Sequence, residues 1–189
     1  MSILVMTTGG TMGAVAYPDP QKPPRYSPMP PAPQDYVRDA LKSDFPDFKT
    51  RYLPLKPIDS KDMDDAYREK LVDIIMDAPE RKIIITHGTD TLLKTADFLY
   101  DKLAEFKTVI ITGAMVPLSN GLTSDGYGNL SFALETLDSP PPGLGHVNVV
   151  LSDFDAHGAW TPKLYPYEPG QYEKFHDPDP RYSRLVKAS

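Results

Sequence analysis

The 189-residue chain is long enough for one hydrophobic core and too short for two full α/β domains. It contains no cysteine, which excludes disulfides, thiolate metal sites and a cysteine nucleophile. Its formal net charge of −6 argues against a nucleic-acid partner, whose binding draws on Lys and Arg, and no apolar run nears the roughly 18 residues of a membrane span, so a small-molecule partner is expected.

The first residues, Met1-Ser2-Ile3-Leu4-Val5-Met6, lack the charged n-region, longer apolar stretch and cleavage site of a signal peptide, so the cytoplasm is the expected location. Ile3-Leu4-Val5 predicts a buried strand that runs into Thr7-Thr8-Gly9-Gly10-Thr11. Of the 21 prolines, 8 fall between Pro18 and Pro33, and each fixes φ and deletes a backbone donor. Residues 18–33 are therefore expected to form an extended mobile loop, of a length that serves as a lid. A short helix follows at Asp35–Leu41, then a weaker strand at Tyr52–Leu55 leading to Ile58-Asp59-Ser60. Met63, Tyr67, Leu71, Ile74, Ile75 and Ala78 have helical spacing. The next strand, Ile83-Ile84-Ile85, is followed by Thr86-His87-Gly88-Thr89-Asp90-Thr91 and a helix patterned on Leu92, Ala96, Leu99 and Leu103. Val109-Ile110-Ile111 leads into Thr112-Gly113-Ala114-Met115, then a helix through Leu130, Ala133, Leu134 and Leu137, then a strand Val147–Leu151 ending at Ser152-Asp153. Residues 160–189 turn polar and proline-punctuated and are expected to be an irregular tail packed over the surface or a neighbour.

Strands alternating with helices predict an α/β fold: a three-layer, doubly wound, mostly parallel sheet with helices on both faces, in one domain spanning 1–189. Ligands of such sheets bind beyond the carboxyl ends of the strands. Hydroxyls, glycines and carboxylates follow several different strands here, so they converge on one edge. Any one of these motifs is explained by helix capping or tight turns; their coincidence is not. Helix N-termini at about Ser60 and Asp90 and glycines at 9, 10, 88 and 113 suit a small ligand bearing a carboxylate. Gly-Gly-Thr is not a phosphate-binding loop, and there is no Gly-x-Ser-x-Gly elbow. His87 reads as hydrogen-bonded structure rather than a catalytic base. Asp153, Asp155 and His157 alternate as a metal half-site does, but a polar loop gives the same pattern, and neither metal nor cofactor is expected. Lys163 and the tyrosines at 17, 26, 165, 167 and 172 carry no signal alone.

Taken together, Thr7-Thr8-Gly9-Gly10-Thr11-Met12, Asp59-Ser60-Lys61-Asp62-Met63, Thr86-His87-Gly88-Thr89-Asp90-Thr91, Thr112-Gly113-Ala114-Met115 and Ser124-Asp125-Gly126 through Asn129-Leu130 resemble the bacterial-type L-asparaginases in order and spacing, over nearly the whole chain. The resemblance implies an amidohydrolase that converts L-asparagine to L-aspartate and ammonia through a threonine nucleophile and an acyl-enzyme. It implies Thr11 as the nucleophile and Tyr26 on the mobile loop as its activating partner. Thr89, Asp90 and Lys163 are implied as the second hydroxyl, the substrate-anchoring carboxylate and the lysine that tunes them. Ser60 is implied to hold the substrate's α-carboxylate and Ala114 to offer a carbonyl to the leaving amide, with Gly10 and Gly88 lining the pocket. Lys163 is matched through Thr161-Pro162-Lys163, which is similar to the family's Thr-Lys pair, and Tyr26 by offset.

Family members carry a second α/β domain that completes a neighbouring subunit's site; these 189 residues resemble the first domain, so a short-chain member whose subunits associate differently, a fragment, or a relative that has lost efficient turnover is expected. Lys61 stands where the family has Gln or Ser, so it is expected to strengthen carboxylate binding or to replace a charge from the second domain; Val116 stands in place of the family's Arg. Other readings are hydrolysis of another side-chain amide such as glutamine, and a low-turnover sensor of aspartate or asparagine. The open crevice of a half-size subunit predicts a homodimer or larger homo-oligomer.

Overall fold

The computed structural model describes residues 2–17, 25–27, 35–103, 105–154 and 159–169. Its main sheet has the strand order β4-β1-β5-β6-β7-β8, with β1 at Ile3–Thr7, β4 at Thr50–Pro54, β5 at Lys82–Thr86, β6 at Thr108–Thr112, β7 at Val147–Phe154 and β8 at Trp160–Pro166. The first five of these run parallel and β8 is antiparallel to β7. A separate hairpin pairs β2 (Val15–Tyr17) with β3 (Arg25–Ser27).

The apolar runs form central strands because both of their faces are covered. On one face Leu4, Met6, Ile83, Ile85, Val109 and Ile111 pack against Leu71 and Ile75 of α2 (Asp65–Asp77) and Ala96 and Leu99 of α3 (Leu92–Lys102). On the other, Val5, Ile84, Ile110 and Val150 meet Val37 and Leu41 of α1 (Tyr36–Ser43) and Leu130, Ala133 and Leu134 of α4 (Asp125–Asp138). Each Val, Leu, Ile or Met side chain among these, taken wholly from water, contributes roughly 1.5–3 kcal/mol. The fold is thus the three-layer α/β arrangement expected from the alternating pattern. Among the described residues, no helix is long and apolar enough to cross a membrane.

The chain leaves β1 for β4 on one side and then crosses over to β5 on the other, so the winding direction reverses between β1 and β5. Two adjacent strands whose connections depart in opposite directions leave a crevice at their carboxyl ends. Thr7 and Thr86, paired in register, are the last residues on either side of it.

Two expectations are corrected. Residues 160–166 are not irregular: they form β8, whose Pro162 and Pro166 are tolerated because an edge strand has ladder positions with no partner to satisfy. Ser60 and Asp90 do not open α-helices; they lie in 3-10 turns at Ser60–Asp62 and Thr89–Thr91, and α2 begins later, capped by Asp64, whose side chain accepts the Tyr67 N–H. In the expected lid, Arg25–Ser27 forms β3; the rest of 18–33, the tail beyond 169 and the Asp155–His157 half-site lie outside the described residues.

Candidate active site

Three turns meet at the mouth of the crevice, and glycine lets them do so. Gly10, at φ 81°, lies so close to the β5 turn that a Cβ there would sit 2.6 Å from Gly88 N and 2.7 Å from its Cα. A Cβ on Gly88 would in turn fall 2.5 Å from Ser60 Oγ. A side chain at either glycine would hold the turns apart. Packed this way, they enclose a cavity of about 110 Å3 lined by Gly10, Thr11, Ala14, Asp59, Ser60, Gly88, Thr89 and Asp90.

Thr11 opens the 3-10 turn Thr11–Gly13 and Thr89 opens its own, so the first residue beyond each glycine lies on the wall of the same cavity. Ser60 is 2% exposed. Thr91 donates its hydroxyl to the Ser60 carbonyl at 2.7 Å, tying the β5 turn to the turn that carries Ser60. Asp59 accepts the Lys61 N–H at 3.0 Å, and the Lys61 ammonium lies 3.8 Å from the Asp90 carboxylate at the rim.

Behind the cavity His87 is fully buried, and its protonation follows from its neighbours. A carbonyl can only accept, so Nδ1–H donates to Gly88 O at 2.7 Å. Arg68 Nε can only donate, and it gives its proton to Thr95 Oγ1 at 3.1 Å. The Thr95 hydroxyl lies 2.9 Å from His87 Nε2, and Met63 Sδ lies 3.1 Å from the same nitrogen. Arg68, itself buried, also donates to Asp65 at 2.8 Å. The imidazole is thus held neutral, as a structural support of the Gly88 turn. Burial foremost, with the Arg68 charge adding to it and the Gly88 bond opposing, pushes its pKa down to about 4. Between about pH 6.5 and pH 4 the unfolded chain takes up a proton that the folded one refuses, so stability is lost as pH falls through that window, by about 3 kcal/mol in all. Denaturant titrations at pH 7 and pH 4 should show this loss, and His87→Gln should remove most of the difference.

The loop after β6 is set by α4. Asp125, 3% exposed, accepts the backbone N–H groups of Met115 at 2.9 Å and Val116 at 2.8 Å. Asn129 donates to Gly113 O at 2.9 Å and accepts from Ser152 Oγ at 2.7 Å. Burial raises the Asp125 pKa against the pull of these N–H donors.

Of the residues singled out in the sequence, Gly10, Thr11, Ser60, Gly88, Thr89 and Asp90 come together around one cavity, with Lys61 at its rim. Ala114 is buried one strand further on and does not line it. Tyr26 pairs with Ala16 through β3, and its side chain lies outside the described residues. Lys163 is not brought to the cavity. It stands on β8, three strands from β5, or about 14 Å at ~4.8 Å per strand, where it pairs with Asp153. Pro162 precedes it on the strand. Its ring lies against Gly128 of α4, so the next residue must face the opposite side of the sheet. Ala14 and Asp59 line the cavity without having been singled out as site residues.

The family model described as "Asparaginase, N-terminal" matches residues 2–179. L-asparaginase 2 of Bacillus subtilis is 38% identical over 81 residues, a match covering 43% of this chain and 21% of that protein. L-asparaginase I from Vibrio cholerae shares the fold at a TM-score of 0.63 and 25% identity, over 88% of this chain and 53% of that one. For a probable cytoplasmic L-asparaginase from Campylobacter jejuni the TM-score is 0.59 at 25% identity, over 80% of this chain and 44% of that one. The alignments thus cover about half or less of these relatives' own lengths. With the family model running over nearly the whole chain and these strand-end turns meeting at one cavity, the chain belongs to the asparaginase family, whose N-terminal domain it matches.

Proposed function

We propose that this chain is an amidohydrolase that converts L-asparagine to L-aspartate and ammonia in the cavity between the β1 and β5 turns. One observation carries the reading: Thr11 and Thr89, from two different strand ends, line one small cavity together with Ser60 and Asp90. Thr11 Oγ1 attacks the side-chain amide carbon, its proton passing by way of Tyr26 to the leaving nitrogen. Ammonia departs and an aspartyl ester remains on Thr11. Water positioned by Thr89 then cleaves the ester, restoring the Thr11 hydroxyl. Backbone N–H groups at the open ends of the two turns face the developing oxyanion. Ser60 holds the α-carboxylate and Asp90 anchors the amino acid. Ala114, one strand away, enters only if the loop after β6 moves toward the ligand.

Ammonia release from asparagine, compared with glutamine, tests the reading. Ser60→Ala should raise KM by roughly ten- to a hundredfold with little change in kcat, the loss of one hydrogen bond to a charged group. No ammonia from either amide would refute the proposal.

A second reading has its own support. Lys163 lies away from the cavity, and a threonine pair without that amine fits a low-turnover sensor of aspartate or asparagine. Calorimetry showing tight aspartate binding without ammonia release would favour it. In either case the half-exposed Asp90 leaves one side of the site open, and we expect a homodimer or larger assembly to cover it; a fully active monomer in sedimentation would contradict this.

A further inference from the structure

At the rim of the cavity, Asp90 faces a cation that belongs to the chain. Lys61 Nζ lies 3.8 Å from Asp90 Oδ2, with the two side chains 69% and 54% exposed. In the open cavity, water screens such a pair and it contributes little. A ligand seated over Asp90 displaces that water, and the charges then act at lower dielectric. The geometry brings the lysine here by more than reach. Its own N–H is bonded to Asp59 at 3.0 Å, and its turn is tied to the Asp90 turn by the 2.7 Å bond from Thr91 to the Ser60 carbonyl. The two charged residues therefore sit on turns fastened to one another.

We propose that Lys61 sets the substrate class of this cavity: by neutralising Asp90 it disfavours a substrate ammonium there, and it admits monoamides of dicarboxylic acids that lack an α-amino group. The inference rests on the reading of the cavity as an amide-hydrolysing site. An ammonium approaching Asp90 must either displace Lys61 or share the carboxylate with it, and both routes cost binding. A ligand with a carboxylate and no ammonium meets Ser60 and the Lys61 amine without that conflict. The four-carbon monoamide is then accepted at least as well as asparagine itself, which remains a substrate.

Calorimetry with succinate and L-aspartate, the two hydrolysis products, tests this without turnover. The wild-type protein should bind succinate at least as tightly as aspartate. Lys61→Gln should tighten aspartate and weaken succinate, shifting the ratio of their affinities about tenfold, while Lys61→Arg should keep the wild-type ratio. Both substitutions are at an exposed side chain, and thermal unfolding checks that they leave the fold intact. A wild-type preference for aspartate, or a ratio unmoved by Lys61→Gln, overturns the inference and leaves the functional reading standing. Failure of both ligands to bind overturns the functional reading and this inference with it.

Discussion

Replacing Thr11 or Thr89 by valine is expected to lower kcat/KM for asparagine by roughly a thousandfold or more, with the fold intact. Valine keeps the branched shape and removes only the hydroxyl. That matters at Thr89, whose Cγ2 is close enough to Gly113 that a Cβ there would sit 3.0 Å away. Truncation to alanine would lose packing along with chemistry. Both side chains are half-buried on short turns at the cavity wall rather than in the core, so the change in stability should stay near 0.5 kcal/mol. The two losses should not multiply. If one hydroxyl forms the ester and the other serves its formation or cleavage, the double variant should be about as inactive as either single one. Ammonia-release kinetics on the three variants check this, and undiminished activity in either single variant would remove the mechanism.

Gly10→Ala should be strongly destabilising. Position 10 holds φ 81°, where an L side chain costs roughly 1–2 kcal/mol. Its new methyl would meet Gly88 N at 2.6 Å, Gly88 Cα at 2.7 Å and the His87 carbonyl carbon at 3.0 Å, all of them backbone. No rotamer change relieves that contact; the β1 and β5 turns must separate. We expect a loss of about 3 kcal/mol or more, with aspartate binding abolished because the separated turns no longer form the cavity. Gly13→Ala provides the contrast. It lies three residues away in the same segment, where a Cβ meets nothing within 4 Å, and its stability should stay within about 0.5 kcal/mol of wild type. Equal tolerance of the two substitutions in denaturant titrations would contradict the close approach of the turns.

The central strands were legible because each is a short β-branched run flanked by turn residues, and the helices because their apolar positions recur at helical spacing. The convergence of Thr11, Ser60 and Thr89 was legible too, since a parallel sheet sends every strand-to-helix turn to one edge. Lys163 lies away from the cavity for a reason of period. One residue more between Thr161 and the lysine turns the side chain to the other face of a strand, and matching by spacing does not register face. The segment after Trp160 hid its strand because prolines mark interior strands as broken, yet an edge strand accepts them. Buried polar supports left a signal that went unused. Arg68 continues the stripe Leu71, Val72 and Ile75 one turn earlier, and Asn129 sits one turn before Ala133, so each occupies a core position of its helix. A charged or amide side chain there must be paired, and the partners found are Thr95 with Asp65, and Gly113 with Ser152. The choice of 3-10 turns over helix starts at Ser60 and Thr89 was beyond local pattern, because capping residues precede both kinds of turn alike.

In the proposed mechanism the hydroxyl of Thr11 carries the acyl group during turnover. Acid-quenching the protein during steady-state hydrolysis of asparagine and measuring its intact mass, then locating any adduct by fragmentation, tests this most directly. A gain of one aspartyl group is expected, confined to Thr11 and absent from Thr11→Val. An aspartyl group found on a different residue, or ammonia released by Thr11→Val at the wild-type rate, would contradict it.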